Sequence, residues 1–379
     1  MKSPHGICVV VGVRPNIVKQ APLIWALEEA GLDGFVLHSG QHFSDEMDAG
    51  IFRDLELPAP RYRLQGEIGG QPHGAMTGRI LEEAERVFTE ARPSLVLVGG
   101  DSTTDFATAL AARKLNIAVG HVEAGLRSFD WRMPEEHNRK MIDAISELLF
   151  APTATASARL VAEKAAGQVF ETGSTTVDVV RRLSPRWEDR APIIRQMLGV
   201  SGAYGLLTLH RQENVDDPVV LASTLRRLQS SSERDGVELL FPAHPRTAGR
   251  LASLGLGELE NIRTIAPLSY LDFIGLLSGA GVLVTDSGGA QQEACLLRVP
   301  CVTVRPSTEW VETVEVGANR LASTSTDLDR AWTEALSSTK DWSLPFGDGH
   351  SGEAIMQASA DFVTGGPLTG PAQRLSVSS

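Results

Sequence analysis

Three carboxylates stand where a parallel α/β sheet keeps its reactive groups. Ser94-Leu95-Val96-Leu97-Val98 is a short apolar run ended by Gly99-Gly100-Asp101, and Thr103 to Lys114 follows as an Ala-rich amphipathic helix. Asn116 to Val122 is a second such run, ended by Glu123-Ala124-Gly125. Asp101 and Glu123 therefore fall at the carboxyl ends of parallel strands, where open α/β sheets bind ligands. Pro134 suits a first helical position, with Glu135 and Glu136 in the first turn at the positive end of the dipole. Glu135, Asn138 and Arg139 share one side of that helix, and Met141, Ile142, Ile145 and Leu148 mark its expected buried face. No salt-bridge partner is evident for each carboxylate. The residues alone allow two readings, capping with surface charge or groups gathered to move protons.

The elements that must hold these groups alternate strand and helix. Ile7 to Val11, Phe35 to Ser39, Leu149 to Ala151 and Gln168 to Glu171 read as further strands, with helices at Ile17 to Ala30, Ala75 to Ala91 and Thr155 to Ala165. The alternation predicts a doubly wound first domain, residues 1–172. The turn Gly12-Val13-Arg14-Pro15-Asn16 places Arg14 at the sheet's carboxyl end. Lys19 falls in the first turn of the expected helix, where a cation opposes the dipole and suits a bound anion. Gly66 to Gly74 reads as a flexible loop. Two prolines and mixed charge place a linker at about residues 172 to 192.

The scheme repeats in residues 173–352, with strands at Tyr204 to Thr208, Val237 to Phe241, Ile262 to Ile265, Val282 to Thr285 and Cys301 to Val304. Three strand ends carry polar punctuation: His210-Arg211-Gln212-Glu213-Asn214, His244-Pro245-Arg246 and Asp286-Ser287-Gly288-Gly289. The last opens a helix, so Ser287, Gly288 and Gly289 can turn backbone N–H groups to a phosphate. Residues 353–363 read as a final helix, and 364–379 as a loose tail.

Composition bounds the function. The 379 residues suit two domains, and 42% hydrophobic with 22% charged residues is ordinary for a soluble globular protein. A net charge of −12 argues against nucleic-acid partners and anionic membrane surfaces, so an anionic ligand must rely on local cations and helix ends. No apolar run is long enough to span a bilayer and no signal-peptide core follows Met1, which predicts a cytoplasmic protein. Cys8, Cys295 and Cys301 lie in apolar runs without metal-ligand spacing and read as buried thiols. No Gly-x-Gly-x-x-Gly turn follows a strand, so a nicotinamide route is not expected.

Gly12-Val13-Arg14-Pro15 with Lys19, Ser39-Gly40-Gln41-His42, Gly100-Asp101-Ser102, His121 to Arg127, Pro134 to Arg139, His210-Arg211 with Glu213-Asn214, and Thr285 to Gly289 occur in one order. In these motifs the chain resembles the non-hydrolysing UDP-N-acetylglucosamine 2-epimerases, from about Cys8 to Ala360. The resemblance implies a GT-B-like α/β fold of two Rossmann-like domains facing a cleft, the final helix crossing back onto the first. It also implies a homodimer without cofactor or metal, and UDP-N-acetylglucosamine, UDP-N-acetylmannosamine and UDP as ligands. By the same resemblance Asp101, Glu123, Glu135 and His210 are the catalytic positions. Arg14, Lys19, Arg139, His244, Ser287, Gly288, Gly289 and Glu293 are the substrate-binding ones. His121, on its strand, reads as core or supporting rather than catalytic, and Trp310 as packing.

A second, activating nucleotide-sugar site is implied at Gln41, His42, Glu136, Arg211 and His244. There Ser44 replaces a Gln that many bacterial members carry, so activation is expected to be weak or absent. Ser174 replaces the usual Asn, and Trp310-Val311 the usual Arg-Pro, outside the carboxylate set. A hydrolysing 2-epimerase, a GT-B glycosyltransferase and a silent sugar-nucleotide sensor are the alternatives. The first two would consume the nucleotide sugar rather than equilibrate it.

Overall fold

A computed structural model describes residues 5–41, 45–66, 68–243, 245–256, 259–323 and 325–366. The chain divides into two compact units, residues 1–181 with 346–379, and residues 182–345. The first begins with β1 (His5–Val11), α1 (Arg14–Glu29), β2 (Gly34–His38), α2 (Asp45–Asp54), β3 (Tyr62–Arg63) and α3 (His73–Ala91). It continues with β4 (Pro93–Gly99), α4 (Thr103–Lys114), β5 (Ala118–Val122), α5 (Pro134–Ile145), β6 (Leu148–Ala151), α6 (Ala154–Ala162), β7 (Gln168–Glu171) and α7 (Thr175–Arg182).

The second unit holds α8 (Ser184–Met197), β8 (Tyr204–Thr208), α9 (Gln212–Val215), α10 (Pro218–Asp235), β9 (Glu238–Pro242), α11 (Pro245–Ser253) and β10 (Ile262–Ile265). Then come α12 (Tyr270–Ser278), β11 (Leu283–Thr285), α13 (Gly288–Leu296), β12 (Cys301–Thr303), α14 (Val311–Glu315), β13 (Asn319–Leu321) and α15 (Ser325–Leu336). The last helix, α16 (Ser351–Thr364), returns to the first unit.

Both sheets are parallel, ordered β3-β2-β1-β4-β5-β6-β7 and β10-β9-β8-β11-β12-β13. Parallel strands are covered on both faces, which is why Ile7 to Val11 and Leu95 to Val98 are unbroken apolar runs, all buried. In each sheet the order reverses beside the first strand, between β1 and β4 and between β8 and β11. Ligands bind at such switch points, beyond the strands' carboxyl ends. α16 packs on α1, where Gly352 lies so close to Pro22 that a side chain would collide with it.

Four expectations need correction. The stretch expected to be a linker is helical: Pro185 lies in the first turn of α8, where its missing N–H costs no hydrogen bond. α1 starts at Arg14, not Ile17, so Lys19 lies in the second turn rather than the first. Within the loop at 66–74, Ile68 is buried in the core, which anchors it. The buried face of α5 is largely charged, with Glu136, Arg139 and Asp143 inside beside Ile142, while Met141 is 40% exposed. Those charges are buried because each has partners. Leu148 belongs to β6 rather than to the helix.

Candidate functional site

In the first unit, adjacent β4 and β5 end level, Gly99 opposite Val122. Beyond β4 the backbone turns through Gly100, at φ +105°. Only glycine adopts that conformation without strain. Beyond β5, Glu123 itself sits at φ +68°, a left-handed conformation costing a non-glycine residue about 1–3 kcal/mol. Strain of this kind persists where the surroundings fix it.

Glu123 is buried, and its Oε2 accepts a 2.6 Å hydrogen bond from Lys19 Nζ. Its Oε1 is buried with no hydrogen-bond partner among the described residues. Burial pushes the carboxyl above its ordinary pKa, the Lys19 charge and hydrogen bond pull against this, and the Asp101 charge adds to the rise. Lys19, expected to await an anion, is thus paired within the fold.

Asp101 is 30% exposed, and its Oδ2 accepts from Arg139 Nη2 at 2.5 Å. Asn138 Nδ2 donates to the Asp101 carbonyl at 2.8 Å, which brings the start of α5 against the Asp101 turn. Glu135 lies three residues earlier on that helix, half-buried and without an ion pair among the described residues. The expectation of three carboxylates lacking partners holds for Glu135 alone. Arg139, expected among the substrate contacts, also donates to Glu136 at 2.7 Å and is almost fully buried.

Glu136 was expected at an activating site. It is instead fully enclosed, accepting from the Ser128 N–H, the Ser128 hydroxyl and the Phe129 N–H, and so holds the loop before α5. Gln41 Oε1 accepts from the Thr104 hydroxyl at 2.6 Å and from its N–H. His42, Ser44 and His244 lie outside the described residues. Arg14 opens α1 beside the end of β1, half-buried.

In the second unit, His210 follows β8 and Asp286 follows β11, its sheet neighbour. Asp286 is fully buried and accepts from the backbone N–H groups of His210 and Arg211 and from Asn214 Nδ2. Its Oδ1 lies 2.7 Å from His210 Nδ1, while 62% of the His210 side chain is exposed. Burial alone would lower the imidazole's pKa, but the hydrogen bond and charge of Asp286 override it and leave it raised. Burial would likewise raise Asp286, whose carboxyl is nevertheless lowered by His210, Asn214 and Arg211. Asp286 thus holds the Nδ1 side of the His210 ring.

Ser287 caps α13, its hydroxyl accepting from the Ala290 N–H, so Gly288 and Gly289 begin the helix with amides that have no intrahelical acceptor. A side chain at Gly288 would collide with the Glu309 carboxylate. Glu293, one turn on, is buried and pushes up the already buried Tyr270 phenol. Trp310 is buried, as expected of a packing residue.

Four supporting residues were not singled out from the sequence. Asn16 accepts from the Gly12 N–H and donates to Gly99 O and Asp105, tying β1, β4 and α4 together. Asp105 closes a capping box with Ser102 and accepts from the Gly99 N–H; burial pushes its pKa to about 6. The Ser-x-x-Asp spacing signals that role. Asp286 sat in a quoted motif without a role. Asp143 carries no sequence signal.

Two Rossmann-like units, one carrying a strained carboxylate site and the other an Asp-His pair beside a helix start, define an α/β protein of the GT-B type. A model of the UDP-N-acetylglucosamine 2-epimerase family matches residues 26–360. The UDP-N-acetylglucosamine 2-epimerase of Methanococcus maripaludis is 42% identical over 360 residues, 93% of this chain and 97% of that one. The UDP-2,3-diacetamido-2,3-dideoxy-D-glucuronate 2-epimerase of Pseudomonas aeruginosa is 39% identical over 357 residues, 93% of this chain and 98% of that one. Among solved structures, Methanocaldococcus jannaschii UDP-GlcNAc 2-epimerase in complex with UDP-GlcNAc and UDP matches with a TM-score of 0.86 at 41% identity, over 95% of this chain and 100% of that chain. The chain belongs to the UDP-N-acetylglucosamine 2-epimerase family.

Proposed function

We propose that the chain interconverts UDP-N-acetylglucosamine and UDP-N-acetylmannosamine at C2, without releasing free sugar as its product. Membership of the family and the likeness to a relative solved with UDP-GlcNAc and UDP support the substrate class. The observation that carries the proton chemistry is Glu123: buried, strained, raised in pKa, with one oxygen on Lys19 and the other without a partner among the described residues. Buried carboxylates with raised pKa suit groups that both give and take a proton near neutrality.

The C2 hydrogen is not next to a carbonyl, so direct abstraction is too slow. Loosening the C1–O bond to UDP builds oxocarbenium character and acidifies C2–H. In the α-gluco sugar both bonds are axial and antiparallel. Anti elimination then breaks C1–O and C2–H, the proton passing to a carboxylate and the electron pair leaving with UDP, and gives 2-acetamidoglucal. Syn re-addition of UDP, with a proton from the other face, gives the manno epimer.

Proton carriers are therefore needed on both faces of one ring, which several carboxylates supply. Asp101, oriented by Arg139, is the leading base, with Glu123 and Glu135 as the other carriers. His210, held by Asp286, protonates departing UDP. Arg14 and the amides of Gly288 and Gly289 stabilise its diphosphate, and Glu293 takes the ribose. The reading includes a cytoplasmic homodimer, which light scattering on purified protein checks.

Purified protein incubated with UDP-N-acetylglucosamine should yield UDP-N-acetylmannosamine as the accumulating product. Stoichiometric N-acetylmannosamine and UDP would identify a hydrolysing enzyme instead. UDP-2,3-diacetamido-2,3-dideoxy-D-glucuronate, named for the Pseudomonas relative, is the competing substrate to run beside it.

A further inference from the structure

His121 lies on β5 with its side chain fully buried, and both ring nitrogens face acceptors. Nδ1 is 2.6 Å from Asp143 Oδ1, and Nε2 is 2.8 Å from the Gly100 carbonyl oxygen. A carbonyl oxygen has no proton to give, so Nε2 must donate. Asp143 also accepts from the Gly125 N–H, at 3.2 Å, and pairs with Arg127 Nη2 at 2.7 Å. A carboxyl so surrounded by donors is an anion, and Nδ1 must donate to it as well. The ring therefore carries two protons and a charge.

Neighbouring charges favour that state: Arg127 also pairs with the 35%-exposed Glu163, which Lys140 approaches at 3.6 Å, while the side chains acting on the ring itself are the carboxylates Asp143 and Asp105. Burial by itself would lower the imidazole's pKa, but Asp143, the Gly100 carbonyl and Asp105 together raise it.

The position matters more than the charge alone. Gly100 accepts from His121 through its carbonyl, and its own N–H donates to Val122 O at 3.0 Å. Asp101 is the next residue after Gly100, and Glu123 the next after Val122. The two turns that carry the carboxylates are therefore pinned to each other by one ring and one backbone bond. We propose that His121 is a positioning residue for the reaction, a doubly protonated imidazolium that locks the Gly100–Asp101 turn to the end of β5 and so sets the spacing of Asp101 and Glu123. The proposal rests on those two carboxylates being the proton carriers.

Nitrogen-15 spectra of histidine-labelled protein test the ring, with His121 assigned by its loss in His121→Gln. Both ring nitrogens should hold imidazolium shifts through neutral pH, where a free histidine has lost most of its charge. A neutral tautomer near neutrality overturns the proposal. This readout is taken on the resting protein, so an inactive wild-type chain would count against the functional reading and a neutral ring against this one.

Kinetics test the consequence. His121→Gln and Asp143→Asn should each lower kcat about 10- to 100-fold while KM and UDP affinity stay within about twofold, because misplacing a reacting group by about 1 Å costs rate rather than binding. The double variant should be no slower than the worse single one. Unchanged kcat in Asp143→Asn, or loss expressed in KM alone, overturns the positioning role. Where His121→Gln fails to fold, the ring is assigned by its change in Asp143→Asn, and the wild-type spectra still decide.

Discussion

Glu123 is where the functional account is most exposed to test. Its left-handed backbone and a carboxylate oxygen without a partner among the described residues are both unfavourable to folding, so their persistence points to a demand other than stability. Glu123→Gln and Asp101→Asn keep shape and remove proton transfer. Each should cost about a hundredfold or more in kcat while UDP still binds, read by steady-state rates beside calorimetric titration. Near-normal turnover in both would remove the assigned roles. These two carboxylates were legible from strand ends and glycine turns. Their partners were not: Lys19 to Glu123 and Arg139 to Asp101 span 104 and 38 residues, which no local spacing reveals.

At the level of elements, α5 was the hardest to read. A helix whose inward face carries Glu136, Arg139 and Asp143 defeats a rule that assigns the apolar stripe to the core. Glu136 gathers Ser128, Phe129 and Arg139, so Glu136→Gln leaves a buried cation and amides short of an acceptor. A loss of about 3 to 5 kcal/mol in urea unfolding is expected, where an exposed carboxylate would give almost none.

β3 and β13, Tyr62–Arg63 and Asn319–Leu321, carry no apolar run to mark them, whereas β11 and β12, also three residues long, were plain because theirs is apolar.

The pairing of β8 with β11 brings His210 to Asp286. Asp286 raises the pKa of His210, so the imidazolium persists to higher pH than a free histidine. If His210 is the acid for UDP departure, activity falls as pH rises through its pKa. Asp286→Asn removes the charge, lowers that pKa and should move the alkaline limb of the kcat profile to lower pH. A limb that stays in place would separate His210 from the proton transfer.

For the whole molecule, repetition is the main lesson: two parallel sheets share one order over six strands, the first adding β7 at its edge, with each candidate site beside a switch point. Alternating strand and helix made that architecture predictable. The division at residues 181/182 was not, because Pro185 reads locally as a break yet starts a helix.

If C2 loses its proton to the protein while UDP departs, as proposed, the hydrogen at C2 exchanges with solvent. The direct measurement is epimerisation in deuterium oxide, with both nucleotide sugars analysed for deuterium at C2. Deuterium is expected in the manno epimer and in recovered UDP-N-acetylglucosamine, with the nucleotide still attached to each. Epimer that keeps its original C2 hydrogen in full would contradict it.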